Sequence, residues 1–508
     1  MPNPTFSGVF YQIFIPSFCD ANGDGIGDLR GIEQRLDYLQ ALGIEGIWLS
    51  PLHPSESYHK YDVLDYYSVA EQYGTMDDLR QLLDACHTRG MRVLLDLVLN
   101  CSSWHHPAFQ RALCDPSCEE RSWYWFDDTP EAAVLDRSAQ WNDLPSWHTA
   151  PNGAHYLGLY GSVMPDYNFY NPGIRRVCKQ IAKFWLDMGF DGFRLDSAMH
   201  LFSSSETAPG VSYHALNVEW WAEFRDYCRS IRPDCLLVGE VWTDSNMRAL
   251  YYRGLDCTFH FDLGIAIGQL LHGDLSSEVF TQQLESAQRS ARLVTPDFID
   301  APFLSNHDMP RFAEFSNCTA AELKLAAAIY LTLPGIPFVY YGEELGLRPF
   351  PDDFCPDFSH DDQMARSRTA FAWPDGGVCR YRFSRGYDAT PMAQQEQDST
   401  SLLQFYRRMI HLRRICMPLR YGDWRAYTAC HGTLRYTRQW GDASATLIHN
   451  ISDTPVLIPR ESADAVDLMS NASLEMTAEH DRWILLPKHS MIFYTGSYAS
   501  SPAGCAGS

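Results

Sequence analysis

Four short segments of the chain carry carboxylates in a pattern that could perform acid–base chemistry. The segments are DLVLNC from Asp96, GFRLDSAMH from Gly192, GEVW from Gly239 and FLSNHD from Phe303. Their carboxylates are Asp96, Asp196, Glu240 and Asp308. Each belongs to or follows an apolar, β-branched run of strand length, so we expect all four at or near the carboxyl ends of buried strands. An α/β barrel carries its active site at that end of its strands.

Apolar strands alternate with amphipathic helices from Val9 to Gly346, which is the pattern of a parallel sheet covered by helices. In one unit, Thr75 is a predicted helix cap with Asp78 three residues later. Gly90 can take the left-handed conformation that ends a helix, and the strand RVLLDLVLN follows it.

A second unit begins at Asn171 and Pro172, a capping residue followed by a residue favoured in the first helical turn. Gly189 ends this predicted helix before FDGFRLDS begins the next strand. The side chains predicted to form its buried stripe are Val177, Ile181, Phe184 and Met188.

Two regions depart from this alternation. Residues 101–170 are rich in Trp, Pro, Asp and His without clear periodicity, which predicts an excursion after the third strand. Beyond residue 420, TLRYTRQWGDASATLIHN alternates around a Gly-Asp turn, and VLIP and WILLPKHSMIFYT are further strands. Residues 421–496 are therefore predicted to form an antiparallel β domain, and the tail at 497–508 has the composition of a disordered segment.

Composition narrows the possible partners. A formal net charge of −23 would repel nucleic acid and anionic membranes, so we expect a neutral substrate, no nucleic acid and no membrane partner. No apolar run approaches the ~20 residues of a membrane span. The sequence does not indicate an oligomeric state.

The cysteines and the amino terminus bear on the compartment. Fifteen cysteines, an odd number scattered through predicted strands and helices, favour a reducing compartment over a disulfide framework. The first strand begins within ten residues of Met1, which leaves no space for a signal peptide. We therefore expect a cytoplasmic protein, although a secreted protein whose leader had been removed would have the same sequence.

The order DxVxN, GFRLD, GEVW and NHD resembles the α-amylase family of glycoside hydrolases, and the resemblance covers nearly the whole chain. FYQIFIPSFCDANGDGIGDLRGI looks like the family's first strand and loop, GIWLSPLHPSESYHKYD like its second, and GIPFVYYGEELG like its eighth; MPDYN is similar to its fifth signature. The resemblance implies an α/β fold, with a TIM (β/α)8 barrel from residues 1–100 and 171–420. It also implies an inserted domain B at residues 101–170, after strand 3, and a C-terminal β-sandwich at residues 421–496.

Cleavage of a glycosidic bond needs one carboxylate that attacks the anomeric carbon and one carboxylic acid that protonates the leaving oxygen. By the resemblance, Asp196 is the nucleophile and Glu240 the acid/base. Asp308 would hold sugar hydroxyls and favour the distorted ring. Arg194 lies two residues before Asp196, so on a strand both side chains point the same way, and its cation would keep Asp196 ionised. A purely structural role as strand-end ion pairs is the competing interpretation of these carboxylates.

The resemblance also implies contacts with the sugar around these carboxylates. Tyr61 would stack on the sugar at the cleavage site, His59 would touch the same sugar, and His200 would bind on the leaving side. The side chains predicted to contact substrate are His59, Tyr61, Asp96, Cys101, Arg194, His200, His307 and Arg311.

The loop DANGDGIGD resembles the first part of an EF-hand, because oxygen ligands stand at alternate positions and Gly25 allows the sharp turn. The predicted ligands are Asp20, Asn22, Asp24, the carbonyl of Ile26, and Asp28. Position twelve is Gly31, so the bidentate Glu is missing. Hard oxygen ligands indicate structural Ca²⁺, with Mg²⁺ as the alternative, and a solvated turn is the interpretation without metal.

Several positions depart from the family pattern. Cys101 stands where the first signature usually ends in His, and we hypothesise that the smaller thiol relaxes recognition near the primary hydroxyl of the sugar; neutral drift is the alternative. Lys60 replaces a usual Gly, and Ser197 follows the nucleophile. NHDMPR, which contains Arg311, looks like the α-glucosidase branch, yet Tyr58 stands where such a glucosidase has an Asp to pair with that arginine.

These features predict a retaining enzyme that hydrolyses α-1,4-glucosidic bonds in maltooligosaccharides or related short α-glucans through a covalent glycosyl-enzyme intermediate. An α-glucosidase or transglucosylase acting on small α-glucosides is the alternative within enzymes, because it differs only in whether a sugar acceptor outcompetes water. A non-catalytic sugar-binding or assembly barrel is the alternative from another class. The intact Asp196, Glu240 and Asp308 argue against it.

Overall fold

The computed structural model describes residues 7–129, 135, 138, 140–141, 144–208, 210–349, 364–380, 391–426, 432–460, 465–477 and 481–495. The predicted tail at 497–508 lies outside these ranges. Among the helices in the described ranges, none is both long and apolar enough to cross a lipid bilayer.

Eight parallel strands form a nearly closed barrel, as predicted. They are β1 (Phe10–Ile13), β2 (Gly46–Leu49), β3 (Arg92–Leu97), β4 (Gly192–Leu195), β5 (Leu236–Gly239), β6 (Cys257–Phe259), β7 (Ile299–Ala301) and β8 (Phe338–Tyr340). They pair in the order β7-β6-β5-β4-β3-β2-β1-β8. Between β7 and β8, backbone hydrogen bonds from Ile336 N to Asp300 O (2.8 Å) and from Phe338 N to Pro302 O (2.9 Å) bring the two ends together.

Helices surround the strands and connect them. In chain order they are α1 (Ile15–Phe18), α2 (Leu29–Gln34), α3 (Leu36–Leu42), α4 (Met76–Thr88), α5 (Pro107–Cys114), α6 (Pro172–Met188), α7 (Tyr213–Ile231), α8 (Ser245–Tyr251), α9 (Phe261–His272), α10 (Ser277–Val294), α11 (Phe312–Phe315), α12 (Ala320–Thr332), α13 (Met392–Gln397), α14 (Leu402–Ile415) and α15 (Met417–Tyr421).

The local signals at α4 act as the sequence predicts. Thr75 and Asp78 form a reciprocal capping box, and Gly90 follows the helix with a φ of 73°. The helix therefore ends directly before β3, whose Asp96 it helps to position. A capping box satisfies two amide groups that a helix start would otherwise leave unbonded.

The ends of α6 are also as predicted, with Asn171 as its cap and Gly189 at its end, but its buried face is different. The buried side chains are Ile174, Cys178, Ile181, Ala182, Trp185 and Leu186. Val177, Phe184 and Met188 from the predicted stripe are only partly buried. A helix that packs against both a sheet and a neighbouring helix buries a wider face than one stripe, and the bulky Trp185 lies on that face.

Aromatic rings fill one part of the barrel interior. Phe10, Trp48, Phe259 and Phe338 come from four different strands and are buried. The centroids of the Phe259 and Phe338 rings lie 4.9 Å apart, and those of Trp48 and Phe259 lie 5.2 Å apart. Such a packed floor supports the polar groups above it and excludes water from beneath them.

Between β3 and α6 the chain leaves the barrel and forms α5 and two short antiparallel pairs of strands. The pairs are Gln140–Trp141 with Leu144–Pro145, and Trp147–Thr149 with His155–Leu157. Bridges between Cys101 and Asp166 and between Tyr124 and Tyr167 connect the beginning and end of this excursion.

An antiparallel β domain follows α15. Its strands are β9 (Asp423–Ala426), β10 (Thr433–Trp440), β11 (Ala443–Asn450), β12 (Val456–Pro459), β13 (Ala465–Asp467), β14 (Ala472–Ser473), β15 (Arg482–Leu485) and β16 (Ser490–Thr495). β10 and β11 form the predicted hairpin around Gly441. The segment WILLPKHSMIFYT, however, forms two strands, because the chain turns at Lys488 with a φ of 57°.

Candidate active site

One guanidinium connects three of the four predicted carboxylates. Arg194 on β4 donates from Nη1 to Asp96 (2.8 Å) and to Asp196 (2.5 Å), and its Nη2 lies 2.9 Å from Glu240 Oε2. Asp96 is on β3, while Asp196 and Glu240 directly follow β4 and β5. Adjacent parallel strands therefore bring these side chains to one end of the barrel.

Burial and charge act in opposite directions on the carboxyls of Asp196 and Glu240. Burial raises the pKa of Glu240 to about 7 against the lowering effect of Arg194, and Asp196 and Asp308 raise it further. Burial also raises the pKa of Asp196 to about 6, again opposed by Arg194. The Ser197 amide donates to Glu240 Oε2 at 2.8 Å. The site can hold Glu240 protonated while Asp196 is ionised.

Asp308 lies in the loop after β7, opposite these groups. Arg368 donates from Nη2 to Asp308 Oδ1 at 2.8 Å, from Nη1 to the Tyr58 hydroxyl at 2.6 Å, and from Nε to the His307 carbonyl at 2.9 Å. The pKa of Asp308 is lowered despite its burial, by His307 and Arg368 in particular. Asp308 is thus held ionised and able to accept hydrogen bonds from a ligand.

Sequence reasoning missed Arg368. It lies in ARSRTAFAW, after a stretch without strand or helix signals, and it reaches Asp308 from sixty residues further along the chain. A buried arginine needs an acidic partner, but the sequence does not say which one.

His307 is buried, and its two ring nitrogens have different partners. The Gln12 amide lies 2.6 Å from Nδ1, and because an amide NH₂ only donates, Nδ1 accepts. The ring proton is then on Nε2, which faces the Tyr61 hydroxyl and lies 3.0 Å from Asp308 Oδ2. Burial lowers the pKa of His307 to about 3, so the ring is neutral. Tyr61 in turn donates to Asp96 Oδ2 at 3.0 Å.

His59 and His200 are partly buried beside this group. The Tyr61 amide donates to His59 Nδ1 at 3.1 Å, and the rings of these two residues pack at 5.8 Å. His200 follows Asp196 by four residues, and burial lowers its pKa to about 4. His59 therefore lies against Tyr61, His200 lies in the segment that follows Asp196, and the contact of both histidines with substrate stays a prediction.

Two residues of the site have backbone conformations that favour glycine. Lys60 has a φ of 69° and Ser197 a φ of 45°. The positive φ explains why a glycine suits position 60. Lys60 adopts the same conformation, and its ammonium donates to the Ser55 carbonyl at 3.1 Å. Strained conformations of this kind persist where the surroundings determine them strongly, as at active sites.

Cys101 is close to the site but offers it no accessible surface. The residue is 0% exposed, its carbonyl accepts from the Tyr66 hydroxyl, and it pairs with Asp166 across a β bridge. Burial raises the pKa of the thiol, which is therefore neutral. The sulfur itself is enclosed. The hypothesis that Cys101 relaxes sugar recognition therefore requires that the space which a histidine ring would fill at this position be open to the sugar.

Arg311 is placed differently from the prediction. It is 2% exposed, donates to the Tyr341 carbonyl at 2.9 Å, and packs its guanidinium 4.5 Å from the centre of the Tyr340 ring. A side chain enclosed in this way does not face a ligand, so the expected substrate contact is not supported. The ion pair with Asp308 is made by Arg368.

The loop at Asp20–Asp28 folds around its own oxygens. Asp20 accepts from the amides of Gly23 (2.6 Å) and Gly25 (2.8 Å), and Asp28 accepts from Ala21 and caps α2 through Gly31. Gly25 has a φ of 95°, in keeping with the predicted sharp turn. Hard oxygen donors at these positions fit Ca²⁺ chemistry, because a carboxylate oxygen that accepts one amide keeps a free lone pair.

Comparisons with known proteins agree with this geometry. A family model described as alpha amylase, catalytic domain, matches residues 12–422. The chain is 36% identical over 456 residues to "Alpha-amylase 3" of Dictyoglomus thermophilum, covering 88% of this chain and 85% of that protein. It is 34% identical over 339 residues to a 4-alpha-glucanotransferase of Thermotoga neapolitana, covering 66% and 72%. The crystal structure of an alpha-amylase from H. orenii superposes with a TM-score of 0.85 at 33% identity, covering 96% and 99%.

Proposed function

Because the chain belongs to the α-amylase family of glycoside hydrolases, we propose that it hydrolyses α-1,4-glucosidic bonds in short α-glucans with retention of configuration. The observation that carries this proposal is the single guanidinium of Arg194 between Asp196 and Glu240. The guanidinium keeps the two carboxyls close together. It lets Asp196 be ionised while burial keeps Glu240 protonated.

In the proposed reaction, Glu240 gives its proton to the glycosidic oxygen while Asp196 attacks the anomeric carbon from the other side. The bond to the leaving sugar breaks, and a covalent glycosyl-Asp196 intermediate forms. Glu240, now ionised, then takes a proton from water, and the resulting hydroxide displaces Asp196. Two inversions at one carbon return the α configuration.

The residues around Asp308 support the binding of the sugar that reacts. Asp308 accepts hydrogen bonds as an ion held by Arg368, and the neutral, buried His307 lies against it with Nε2 3.0 Å from Asp308 Oδ2. Tyr61 lies stacked on His307 at 5.7 Å with an interplanar angle of 9°, and it provides an aromatic face for the sugar.

Transfer to a sugar acceptor is a second candidate. A relative 34% identical to this chain is named 4-alpha-glucanotransferase, and the same covalent intermediate serves both reactions. The two outcomes differ only in whether water or a sugar hydroxyl attacks the glycosyl-Asp196 bond.

Product analysis tests these proposals. Incubation with maltose, maltotriose, isomaltose, sucrose and starch gives the bond and length preference, and products longer than the substrate indicate transfer. Proton NMR of the first product distinguishes the anomers, and an initial β-anomer would sink the retaining mechanism. Asp196→Asn and Glu240→Gln should remove most turnover, while Asp187→Asn, an exposed carboxylate on α6, should not.

We also propose structural Ca²⁺ at Asp20, Asn22, Asp24, Ile26 and Asp28, and a cytoplasmic location. The donor set and the turn at Gly25 support the ion. Buried free thiols such as Cys86, Cys178 and Cys228 support a reducing compartment.

A further inference from the structure

Three side chains that can bind a metal ion meet outside the sugar site. His272 is the last residue of α9, Cys318 lies shortly before α12, and Glu322 is in the first turn of α12. One ligand atom from each lies within 4.8 Å of the others. Within the described parts of the chain this is the one such group of three, and it shares no residue with the site around Asp196 and Glu240.

We propose that His272, Cys318 and Glu322 form a binding site for Zn²⁺, with water as the fourth ligand. An imidazole, a thiolate and a carboxylate are ligands that zinc combines in tetrahedral sites, at bond lengths of about 2.0–2.3 Å. Bonds of that length put the ligand atoms about 3.3–3.8 Å apart. The three ligand atoms therefore need to approach one another by at most about 1.5 Å, which rotation about side-chain bonds can provide.

The helix ends give this site both rigidity and access. Cys318 is 3% exposed and is fixed in the interior. Glu322 Oε2 accepts from the amide and hydroxyl of Thr319 at 2.9 and 2.8 Å, which orients the carboxylate and leaves Oε1 for the ion. His272 is exposed, so its ring can adjust and solvent can deliver the metal.

Charged side chains also surround the three ligands. Lys488 lies 3.6 Å from Glu322 Oε1 and 3.3 Å from Asp453, and it donates to the carbonyls of Leu271 (3.0 Å) and Ile451 (2.8 Å). Glu322 and Asp453 share this one ammonium, and Arg348 donates to the Cys318 carbonyl at 3.1 Å. Binding of Zn²⁺ would release the proton of the Cys318 thiol, and the two carbonyls hold Lys488 when Glu322 Oε1 binds the metal.

The same region contains two of the five non-glycine residues with positive φ in the described chain. They are Asn317, next to Cys318, with a φ of 41°, and Lys488, with a φ of 57°. Lys60 and Ser197 at the sugar site are two of the other three. Asn317 directly precedes Cys318, and Lys488 donates to the carbonyl of Leu271, the residue before His272.

Metal binding can be measured on the whole protein in excess Ca²⁺, which occupies hard oxygen sites. After removal of bound metals, Zn²⁺ is titrated against a chromogenic chelator, and metal content is measured after dialysis. We expect one tight Zn²⁺ per chain and a rise in Tm with Zn²⁺, because only the folded state holds the three ligands together. Co²⁺ in place of zinc should show the absorption of a thiolate-bound tetrahedral ion.

Variants separate this site from adventitious binding. His272→Gln changes an exposed side chain and should weaken Zn²⁺ binding at least tenfold without lowering the Tm of the metal-free protein. Cys318→Ser should remove the thiolate absorption of the Co²⁺ form. Cys114→Ser, at an exposed cysteine elsewhere, is the matched control and should keep both. The proposal would be overturned if the wild type and both ligand variants bound zinc with equal affinity. It would also be overturned if zinc bound but the Co²⁺ form showed no thiolate absorption.

Discussion

Arg368 and Asp308 form an ion pair at 2.8 Å between two loops that are sixty residues apart in the chain. The arginine is buried and also bonds the hydroxyl of Tyr58. It therefore fixes the direction of the Asp308 carboxylate and joins it to the loop that carries His59 and Tyr61.

Replacing Arg368 by alanine should lower kcat/KM by about 10- to 100-fold, because a hydrogen bond to a charged group contributes about 1.5–3 kcal/mol and Asp308 would lose the guanidinium that orients it. Arg366→Ala is the control, since Arg366 pairs with Glu314 and both are partly exposed. Steady-state kinetics on a maltooligosaccharide compares the two. Similar losses in both variants would show that the effect is structural and not specific to Asp308.

The pH dependence of kcat/KM should be bell-shaped. Glu240 must be protonated to act as an acid, and its pKa is raised to about 7, so activity should fall as the pH rises through that value. Asp196 must be ionised, and its pKa is raised to about 6, so activity should also fall as the pH drops below it.

Glu240→Gln checks the assignment of the alkaline limb. With α-glucosyl fluoride, whose leaving group needs little protonation, the first half-reaction of this variant should no longer fall above pH 7. A rapid-mixing measurement of fluoride release across the pH range records this. If the variant keeps the same alkaline limb, that limb reports the titration of a group other than Glu240.

A buried ionic group at the start of α9 should contribute to stability. Asp300 on β7 lies 2.8 Å from Arg248 and 2.8 Å from His260 Nδ1. Asp300→Asn should reduce the free energy of unfolding by about 3–5 kcal/mol, because it leaves the Arg248 charge buried without its partner. Asp77→Asn, whose exposed carboxylate pairs with Arg80, should cost about 0–1 kcal/mol.

The sign of the pH effect on this contribution follows from the pKa of Asp300. His260 and Arg248 lower that pKa despite burial, so the stabilisation is present above the unfolded value of about 4. It is lost as the pH falls from there toward the folded-state pKa. The free energies of unfolding of the wild type and Asp300→Asn, measured in urea, should therefore become equal at acidic pH. A difference that stays constant below pH 4 would contradict this assignment.

Removal of Ca²⁺ should lower the Tm if the loop at Asp20–Asp28 holds the ion. A ligand bound only by the folded state at 100 times its Kd adds about 2.7 kcal/mol to the free energy of unfolding. Asp24→Ala should abolish the response to Ca²⁺, whereas Asp28 is unsuitable for this test because it also caps α2. A melting curve that chelation leaves unmoved, in protein without bound metal, would identify the loop as a simple turn.

The sequence alone determined the barrel, the positions of Asp96, Asp196 and Glu240, and the caps of α4 and α6. These features depend on neighbouring residues: a capping box, a proline in a first turn, or an apolar run that ends in a carboxylate. Arg194 could be predicted to face Asp196 because residues two apart on a strand point the same way.

Only the tertiary structure decided which distant groups meet. It paired Asp308 with Arg368 and enclosed Arg311 against Tyr340, although both arginines follow the NHD segment in the sequence. It also rotated α6 so that Trp185 is buried and brought His272 to Cys318. Local rules contain no information on such contacts, because they depend on how separate helices and loops pack around the barrel, and burial then sets the charge of each group.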